Sequence, residues 1–395
     1  MVLRAIDGPG DEQPGGTGLN ESAAKEGTGK QHRALFAALS LVMGLTFAAL
    51  LAEWGLGIWF QRIQTQAMDP GLIRYHAMLG WSLSPNWAGR HAHHDYDVTY
   101  STDANSFRNQ YQPPLSLAVN RSTVAVLGDS FTFGLGVNDE ETFVSVLNNG
   151  TGPRFINYAI PGKSTDQQLL LLRSLLLREA PDQVLLVVYL ANDILDNTLE
   201  YPLQAEQAKP MFVLDGCRLE LENTPVPVAP KPARLRSTTL GTLVLNGFDT
   251  QEGLLESTAI GRMLSTVMGG RAYDGAELRP VLERNLQPAL ALFAALIDEM
   301  AAEVTRHSSG LTVALLPGRD AMINTRGISH HYQDYLREAI VAGLADKGVA
   351  TIDLMSAMAT DPEASVRNLY FPNDGHLTPA GHRYVAGLLA DHLNP

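Results

Sequence analysis

The chain has 395 residues, of which 45% are hydrophobic and 18% are charged, and its formal net charge is −13. This balance is typical of a folded protein with a sizeable core. The acidic excess argues against a nucleic-acid partner, because neutralising phosphates requires patches of Lys and Arg that the sequence lacks. The single cysteine, Cys217, excludes an internal disulfide and a cysteine-based zinc site. Nothing beside it suggests an activated thiol, so we interpret it as inert.

The N-terminal region combines a polar tail with a long apolar stretch. Residues 1–33 carry few large apolar side chains and are expected to be a disordered cytoplasmic tail. The nineteen residues 34–52 contain no charge, and a helix of that length spans about 28 Å, the thickness of a hydrocarbon core. With cations before it and aromatic residues after it, the pattern predicts a single membrane anchor over 34–60 and an extracytoplasmic remainder. A cleaved signal peptide and a buried core helix are the alternatives.

A membrane-proximal segment, residues 61–120, follows the anchor. Its stretch YDVTYSTDANSFRNQ alternates in part and predicts an edge strand or hairpin. Four potential metal ligands lie close together in this segment: His91, His93, His94 and Asp95. Adjacent histidines in a loop point in different directions, so we interpret this cluster as a surface loop without a metal. His330 and His331 receive the same interpretation.

From about residue 121, short apolar runs alternate with helical patterns, which is typical of βαβ units and a parallel sheet. The predicted strands are 123–128, 154–159, 183–190, 311–317 and 349–354. Clear helical patterns cover 166–180 and 285–307. The near-continuous apolar strands favour burial on both faces of the sheet. Residues 198–280 interrupt the alternation and are interpreted as an insertion or lid near the sheet edge.

The first of these strands ends in TVAVLGDSFTFGLGV, where Gly128, Asp129 and Ser130 follow the apolar run. One interpretation is a tight turn, because Gly tolerates positive φ and Asp and Ser bond their own backbone. The other is a serine nucleophile at the carboxyl end of a strand, where open α/β sheets place their ligands. The motif alone does not choose between them.

A serine nucleophile needs a base, an acid that orients the base, and donors for the oxyanion. Asp374 and His376 lie two residues apart in a loop before the last helix, so the carboxylate can turn back onto the imidazole. Thr378 and Pro379 cap and begin that helix, a structural role that leaves Asp374 and His376 unexplained. His382 lies within the helix and is interpreted as a surface or packing residue.

Two further stretches supply candidate donors. NYAIPGKSTDQQ places Gly162 in a loop after the second strand, where a backbone N–H points outward. YLANDILDN places Asn192 and Asp193 at the end of the third strand, where the amide is either a helix cap or a donor to a developing negative charge. Since the carboxyl ends of parallel strands share one edge, these residues are expected to converge with Ser130 and the Asp374/His376 pair.

The order of GDSFTFG, a loop glycine, ND and a late Asp-x-His resembles the SGNH (GDSL) hydrolase superfamily over residues 121–395. The resemblance implies a flavodoxin-like three-layer α/β/α fold with a mostly parallel five-stranded sheet. It implies that Ser130 is the nucleophile, that His376 is the base and that Asp374 orients it. The oxyanion donors implied are the Ser130 and Gly162 N–H groups and the Asn192 amide.

The segment before the sheet is similar to that of membrane-anchored members, through LGW…PN at 79–86 and NSFR at 105–108. Two positions depart from the family pattern: Leu190 replaces a glycine two before Asn192, and Asn373 stands where the acid usually lies, three before His376. The D-x-H spacing occurs in relatives that modify exopolysaccharides by O-acetylation. The GxSxG elbow of α/β-hydrolases is absent, because Thr132 replaces its second glycine.

The sequence therefore predicts a serine esterase acting on acyl groups of an envelope glycan or lipid, with neither a metal nor an organic cofactor. An O-acyltransferase on an extracytoplasmic polysaccharide and a non-catalytic glycan-binding scaffold are the alternatives. If Asp374 is not the orienting acid, Asp193 is the next candidate. The acyl group and the oligomeric state are left open.

Overall fold

The computed structural model describes residues 18–64, 66–109, 121–216, 218–232, 273–361 and 366–393. Cys217 and positions 233–272 of the predicted insertion lie outside the described residues. The chain divides into two compact units at Ile58/Trp59, and each is described by itself.

The first unit consists mostly of helix α1, Gly18–Gln64, which continues into the second. Residues 18–33, which were expected to be disordered, are therefore helical, and the Ala, Glu and Lys residues among them favour helix. Positions His32–Trp59 have a mean hydropathy of 2.3 and are not buried within the protein. By length and composition this part of α1 is a candidate membrane span, and a signal sequence meets the same criteria.

Short antiparallel strands form the segment after α1. They are β1 (Ala67–Met68), β2 (Ile73–His76), β3 (Gly80–Leu83), β4 (Ala88–Ala92) and β5 (Asp97–Ser101). β2 pairs with β3, and β4 pairs with both β1 and β5. The alternation predicted in YDVTYS is visible in β5, where Val98 and Tyr100 face inward. His91 pairs with Val98 in register and is fully buried, so its assignment to a surface loop was wrong.

A five-stranded parallel sheet forms the centre of the remaining chain. Its strands are β6 (Thr123–Leu127), β7 (Arg154–Asn157), β8 (Gln183–Tyr189), β11 (Gly310–Leu316) and β12 (Ala350–Asp353). The strand order is β12-β11-β8-β6-β7, and every neighbouring pair is parallel. The predicted fold class and all five predicted strands are thereby confirmed.

Helices cover both faces of this sheet. They are α2 (Ser130–Phe133), α3 (Phe143–Asn148), α4 (Thr165–Glu179), α5 (Asp193–Asp196), α6 (Gly275–Arg306), α7 (Arg319–Ile323), α8 (Ile328–Asp346), α9 (Leu354–Thr360), α10 (Val366–Leu369) and α11 (Pro379–Leu393). Alternate strand residues enter two different cores: Leu186 packs with α4, α6 and α8, whereas Leu185 packs with α3, α9 and α11. Burial on both faces explains the continuous apolar runs.

The predicted insertion, 198–280, contains a hairpin of β9 (Met211–Asp215) and β10 (Arg218–Glu222). A fully buried ion pair joins it to the domain, because Lys209 contacts Asp166 at the start of α4. Helix α6 begins at Gly275, ten residues before the predicted start at 285, and the side chain of Asp274 caps it. The insertion therefore ends before residue 275 rather than at 280.

Candidate active site

Ser130 stands where β6 ends and α2 begins. The Asp129 carboxylate caps α2 by accepting from the Phe131 N–H at 2.9 Å. Gly128 is required by packing rather than by φ, because a Cβ there would lie 2.6 Å from the Cβ of Thr132. Both sequence interpretations of this stretch therefore describe one feature: a tight turn that holds a serine at the carboxyl end of strand β6.

The late Asp-x-His pair meets Ser130 across 246 positions of sequence. Nε2 of His376 lies 2.8 Å from Oγ of Ser130, and its Nδ1 lies 2.6 Å from Oδ1 of Asp374. The same Oδ1 accepts from the His376 backbone N–H at 3.1 Å, and Gly375 at φ +87° provides the turn. Serine, imidazole and carboxylate thus form one continuous hydrogen-bonded chain, the arrangement used to activate a hydroxyl for acyl transfer.

The electrostatics of this chain favour an ionised acid at Asp374. Burial acts to raise the pKa of Asp374, but its hydrogen bonds and charge interaction with His376 outweigh burial and hold the pKa below its usual value. The ring centroids of Phe131 and His376 lie 4.5 Å apart, and this packing helps to fix the imidazole. Burial raises the pKa of the neighbouring Asp129 to about 6, so the two acids of the site differ in character.

Gly162 lies in the loop between β7 and α4, with φ +74°, a conformation that side chains other than glycine rarely adopt. Within the described residues, its N–H donates to no protein group, and Gly162 lines the same cavity as Ser130. Two contacts at β3 and at the residue before it fix the loop. The Trp81 Nε1–H donates to Pro161 O at 2.9 Å, and Lys163 Nζ donates to Leu79 O at 3.0 Å. Burial lowers the pKa of Lys163 to about 7.

Asn192 is buried and occupies the N-cap position of α5, but its side chain makes no capping hydrogen bond there. Its Nδ2 donates to Oδ2 of Asp196 at 2.6 Å, and its Oδ1 has no partner among the described residues. Burial raises the pKa of Asp196 to about 6. Asp193 accepts from the Tyr189 N–H rather than contacting His376, and burial raises its pKa well above the usual value. Among the described residues, neither Asn192 nor Asp193 forms a hydrogen bond with Ser130, His376 or Asp374.

A cavity of about 510 Å³ opens beside Ser130. One wall consists of Ser130, Gly162, Asp374 and His376. The opposite walls come from Gln66, Ile73 and Trp81 before the sheet and from positions 204–207 of the insertion. A second cavity, of about 260 Å³, borders His376 and Asp374 and includes Phe131, Arg319 and Asn373.

The remaining predicted histidines have structural partners. Nδ1 of His91 lies 2.8 Å from the Tyr100 hydroxyl, and Nδ1 of His382 accepts from the Phe143 N–H at 3.1 Å. Burial lowers the pKa of His382 to about 3. His330 and His331 lie half-buried on α8, each beside a backbone carbonyl, and not in the expected surface loop. Within the part of the chain that the structure describes, no cluster of His, Cys, Asp and Glu has the arrangement of a metal site.

Sequence reasoning missed how far the segment before the sheet enters the site. Arg108 of the NSFR stretch is buried, pairs with Asp139, and donates to the carbonyls of Phe133, Gly134 and Val137 in the loop after Ser130. The motif was noted as a resemblance, but nothing local indicates its partner. A buried arginine bound to three carbonyls holds the serine loop in place.

Comparisons with known proteins identify the family of the chain. The family model for GDSL-like Lipase/Acylhydrolase matches residues 126–384. No curated protein is significantly similar in sequence. Among solved structures, similar folds include a lipase/acylhydrolase from Enterococcus faecalis, at 13% identity and TM-score 0.38, covering 69% of this chain and 94% of that one. A catalytic mutant of an acetylxylan esterase from Geobacillus stearothermophilus has 11% identity and TM-score 0.39, covering 69% and 95%.

The parallel sheet and the family match define a class of protein: an α/β acyl hydrolase. The family model covers more than half of the chain. The chain therefore belongs to the GDSL-like lipase/acylhydrolase family and is an ester hydrolase. The predicted resemblance to SGNH (GDSL) hydrolases is confirmed.

Proposed function

We propose that the protein cleaves acyl esters through Ser130, with His376 as the general base and Asp374 as the acid that orients it. The observation that carries this proposal is the chain of contacts from Ser130 Oγ to Nε2, and from Nδ1 to Oδ1, at 2.8 and 2.6 Å. His376 takes the hydroxyl proton as Oγ attacks the ester carbonyl. It then protonates the leaving alcohol, and water releases the acyl group by the same route.

The proposed oxyanion donors are the Ser130 and Gly162 N–H groups, with the Asn192 amide as a third. Support for Gly162 is its place in the cavity wall and its N–H without a protein partner among the described residues. In this proposal Asp196 holds one Nδ2 hydrogen of Asn192, and the other hydrogen serves the oxyanion. Each such donor typically contributes about 100-fold or more to the rate.

For the substrate we propose an acylated carbohydrate close to a membrane surface. Three glutamines and Trp81 line the cavity, and amide and indole groups suit hydroxyl-rich alcohols better than an acyl chain alone; the glutamines are Gln66, Gln204 and Gln207. Gln66 follows Trp59, the end of the candidate membrane span, by seven positions, at most about 25 Å of chain. With α1 as an anchor and the catalytic domain outside the cytoplasm, the substrate would be an envelope glycan, or a lipid carrying one.

A second candidate is acyl transfer to a sugar hydroxyl. It is favoured by the second cavity, which shares Gln204, Asp374 and His376 with the first and so gives an acceptor alcohol its own route to the base. Release of the acyl group to that alcohol instead of water needs no other change in the chemistry.

One experiment tests the serine, and an added arm separates hydrolysis from transfer. The purified chain should react with a fluorophosphonate probe at Ser130, detected by intact-protein mass spectrometry, because an activated serine attacks phosphorus and ordinary serines do not. Labelling that persists in Ser130→Ala refutes the assignment. Turnover of p-nitrophenyl acetate with and without oligosaccharide acceptors then identifies the acyl acceptor: free acetate indicates a hydrolase, and an acetylated sugar indicates a transferase.

A further inference from the structure

The Asp374 carboxylate uses its two oxygens on two different parts of the protein. Oδ1 faces His376, as described, whereas Oδ2 accepts a hydrogen bond from the Tyr96 hydroxyl at 3.2 Å. Tyr96 lies in the turn between β4 and β5, 278 positions earlier in the chain and before the sheet begins. A residue outside the α/β domain thus contacts the proposed catalytic acid directly.

The same turn also holds the backbone of the acid loop. Oδ2 of Asp95 accepts from the Asn373 N–H at 2.8 Å and from the Asp374 N–H at 2.9 Å. The Asn373 side chain donates to Oδ1 of Asp95 at 2.6 Å. Asn373 therefore attaches the loop to the β4–β5 turn. Among the described residues it forms no hydrogen bond with His376, although it stands three residues before His376, where the family pattern places the acid.

Tyr96 is well placed to act as a fixed donor. It is buried, and its ring packs against those of His93 and Phe371, at 5.1 and 5.2 Å between centroids. Burial and the neighbouring Asp374 carboxylate hold the pKa of Tyr96 far above its ordinary value. The hydroxyl consequently stays protonated and can only donate to Oδ2.

A second hydrogen bond on Asp374 has a specific physical use. The χ2 torsion of an aspartate is broad, so a contact at one oxygen leaves the carboxylate free to swing. When His376 takes the serine proton, the attraction between the imidazolium and Oδ1 must act at the distance present before the reaction, since reorganisation at that moment costs rate. A donor at the other oxygen limits the swing.

We propose that Tyr96 is a positioning residue of the active site, holding Oδ2 of Asp374 so that Oδ1 remains on His376. This inference rests on the proposed function of the Ser130–His376–Asp374 chain. In this proposal residues 61–120 contribute the β4–β5 turn to the active site.

The test is Tyr96→Phe in the full chain, purified in detergent and assayed on p-nitrophenyl acetate. The phenyl ring keeps the packing, so the melting temperature should stay within a few degrees of wild type. We expect kcat to fall about tenfold, as for a lost hydrogen bond to a charged group, while KM changes less than about twofold. Tyr384→Phe is the matched control, because the Tyr384 hydroxyl donates to the Asp361 carboxylate, with 2.7 Å between the two oxygens, and neither residue lines the cavities of the site. This variant should keep wild-type kinetics.

A double mutant shows whether the hydroxyl acts through Asp374. In the Asp374→Ala background, Tyr96→Phe should change kcat less than about twofold, because the side chain that the hydroxyl holds is gone. A further tenfold loss there overturns the proposal, as does a Tyr96→Phe enzyme with wild-type kcat. Ser130→Ala keeps the two hypotheses apart. Turnover that survives Ser130→Ala refutes the proposed function, whereas Ser130-dependent turnover that is insensitive to Tyr96→Phe refutes only the role of Tyr96.

Discussion

Replacing Asp374 by asparagine removes one charge and little else from the proposed triad. Oδ1 of Asp374 accepts both the Nδ1–H and the backbone N–H of His376. Because two donors meet the position of Oδ1, the amide oxygen of an asparagine is expected to take that position. The amide nitrogen would then face the Tyr96 hydroxyl, which can accept a hydrogen bond. The imidazole should therefore keep its orientation and its tautomer, and the variant isolates the electrostatic contribution of the acid.

The magnitude follows from the distance. The contact between Nδ1 and Oδ1 is 2.6 Å, and both side chains are largely buried. With charge centres about 3.5 Å apart and an effective dielectric constant of about 20, the attraction between imidazolium and carboxylate is about 5 kcal/mol. Its loss in the transition state corresponds to a decrease of three to four orders of magnitude, roughly the effect of losing a triad acid elsewhere.

The assay is kcat/KM on a small activated ester, with circular dichroism to show that each variant is folded. Asn373→Ala is the matched neighbour, because it removes a hydrogen bond to Asp95 but no charge near His376, and it should cost less than about tenfold. His376→Ala should be as inactive as Ser130→Ala. If Asp374→Asn retains more than about a tenth of wild-type activity, the charge of Asp374 is not what stabilises the imidazolium.

Two further predictions concern residues outside the proposed triad. Asn192→Ala should lower kcat about 100-fold, whereas Asp196→Asn, which keeps an acceptor for the Asn192 amide, should lower it less than about tenfold; equal kcat values for wild type and Asn192→Ala would remove Asn192 from the oxyanion hole. His382 has its pKa lowered by burial to about 3, against an ordinary 6.5, so the unfolded state takes up the proton first as the pH falls. Stability is therefore lost as the pH falls below about 6.5, by about 3 kcal/mol between pH 7 and roughly pH 4.5, and that part of the slope should vanish in urea unfolding of His382→Gln.

The sequence predicted the sheet because each of its strands is a short run of mainly apolar residues that can be recognised without knowing its neighbours in the fold. β8 is apolar over nearly its whole length, since successive residues such as Leu185 and Leu186 enter cores on opposite faces. Strand ends were predictable for the same reason, and the shared edge of a parallel sheet then placed Ser130 near His376. The meeting of these side chains was expected from topology.

Other features depend on contacts between distant parts of the chain, which no local sequence pattern indicates. The contact between Tyr96 and Asp374 joins positions 278 apart, and neither residue differs in pattern from its neighbours. His91 was misread for a related reason: adjacent histidines suggest a polar loop, yet His91 lies in β4, whose pairing with β5 turns it inward toward Tyr100. Register across a hairpin decides which face a residue takes, and one sequence cannot show that register when most of the strand is polar.

The structure also changes where the catalytic unit begins. The resemblance and the family model both start near the first strand of the sheet, at 121 and 126. Yet the segment before it contacts each loop of the site: Arg108 binds the loop after Ser130, Trp81 binds the loop of Gly162, and Tyr96 binds Asp374. These three loops carry Ser130, Gly162 and Asp374, which the proposed mechanism requires at fixed relative positions. A fragment that begins at residue 121 would retain the whole sheet and lose all three contacts. We therefore expect an active fragment to begin no later than Gln66, which lines the cavity.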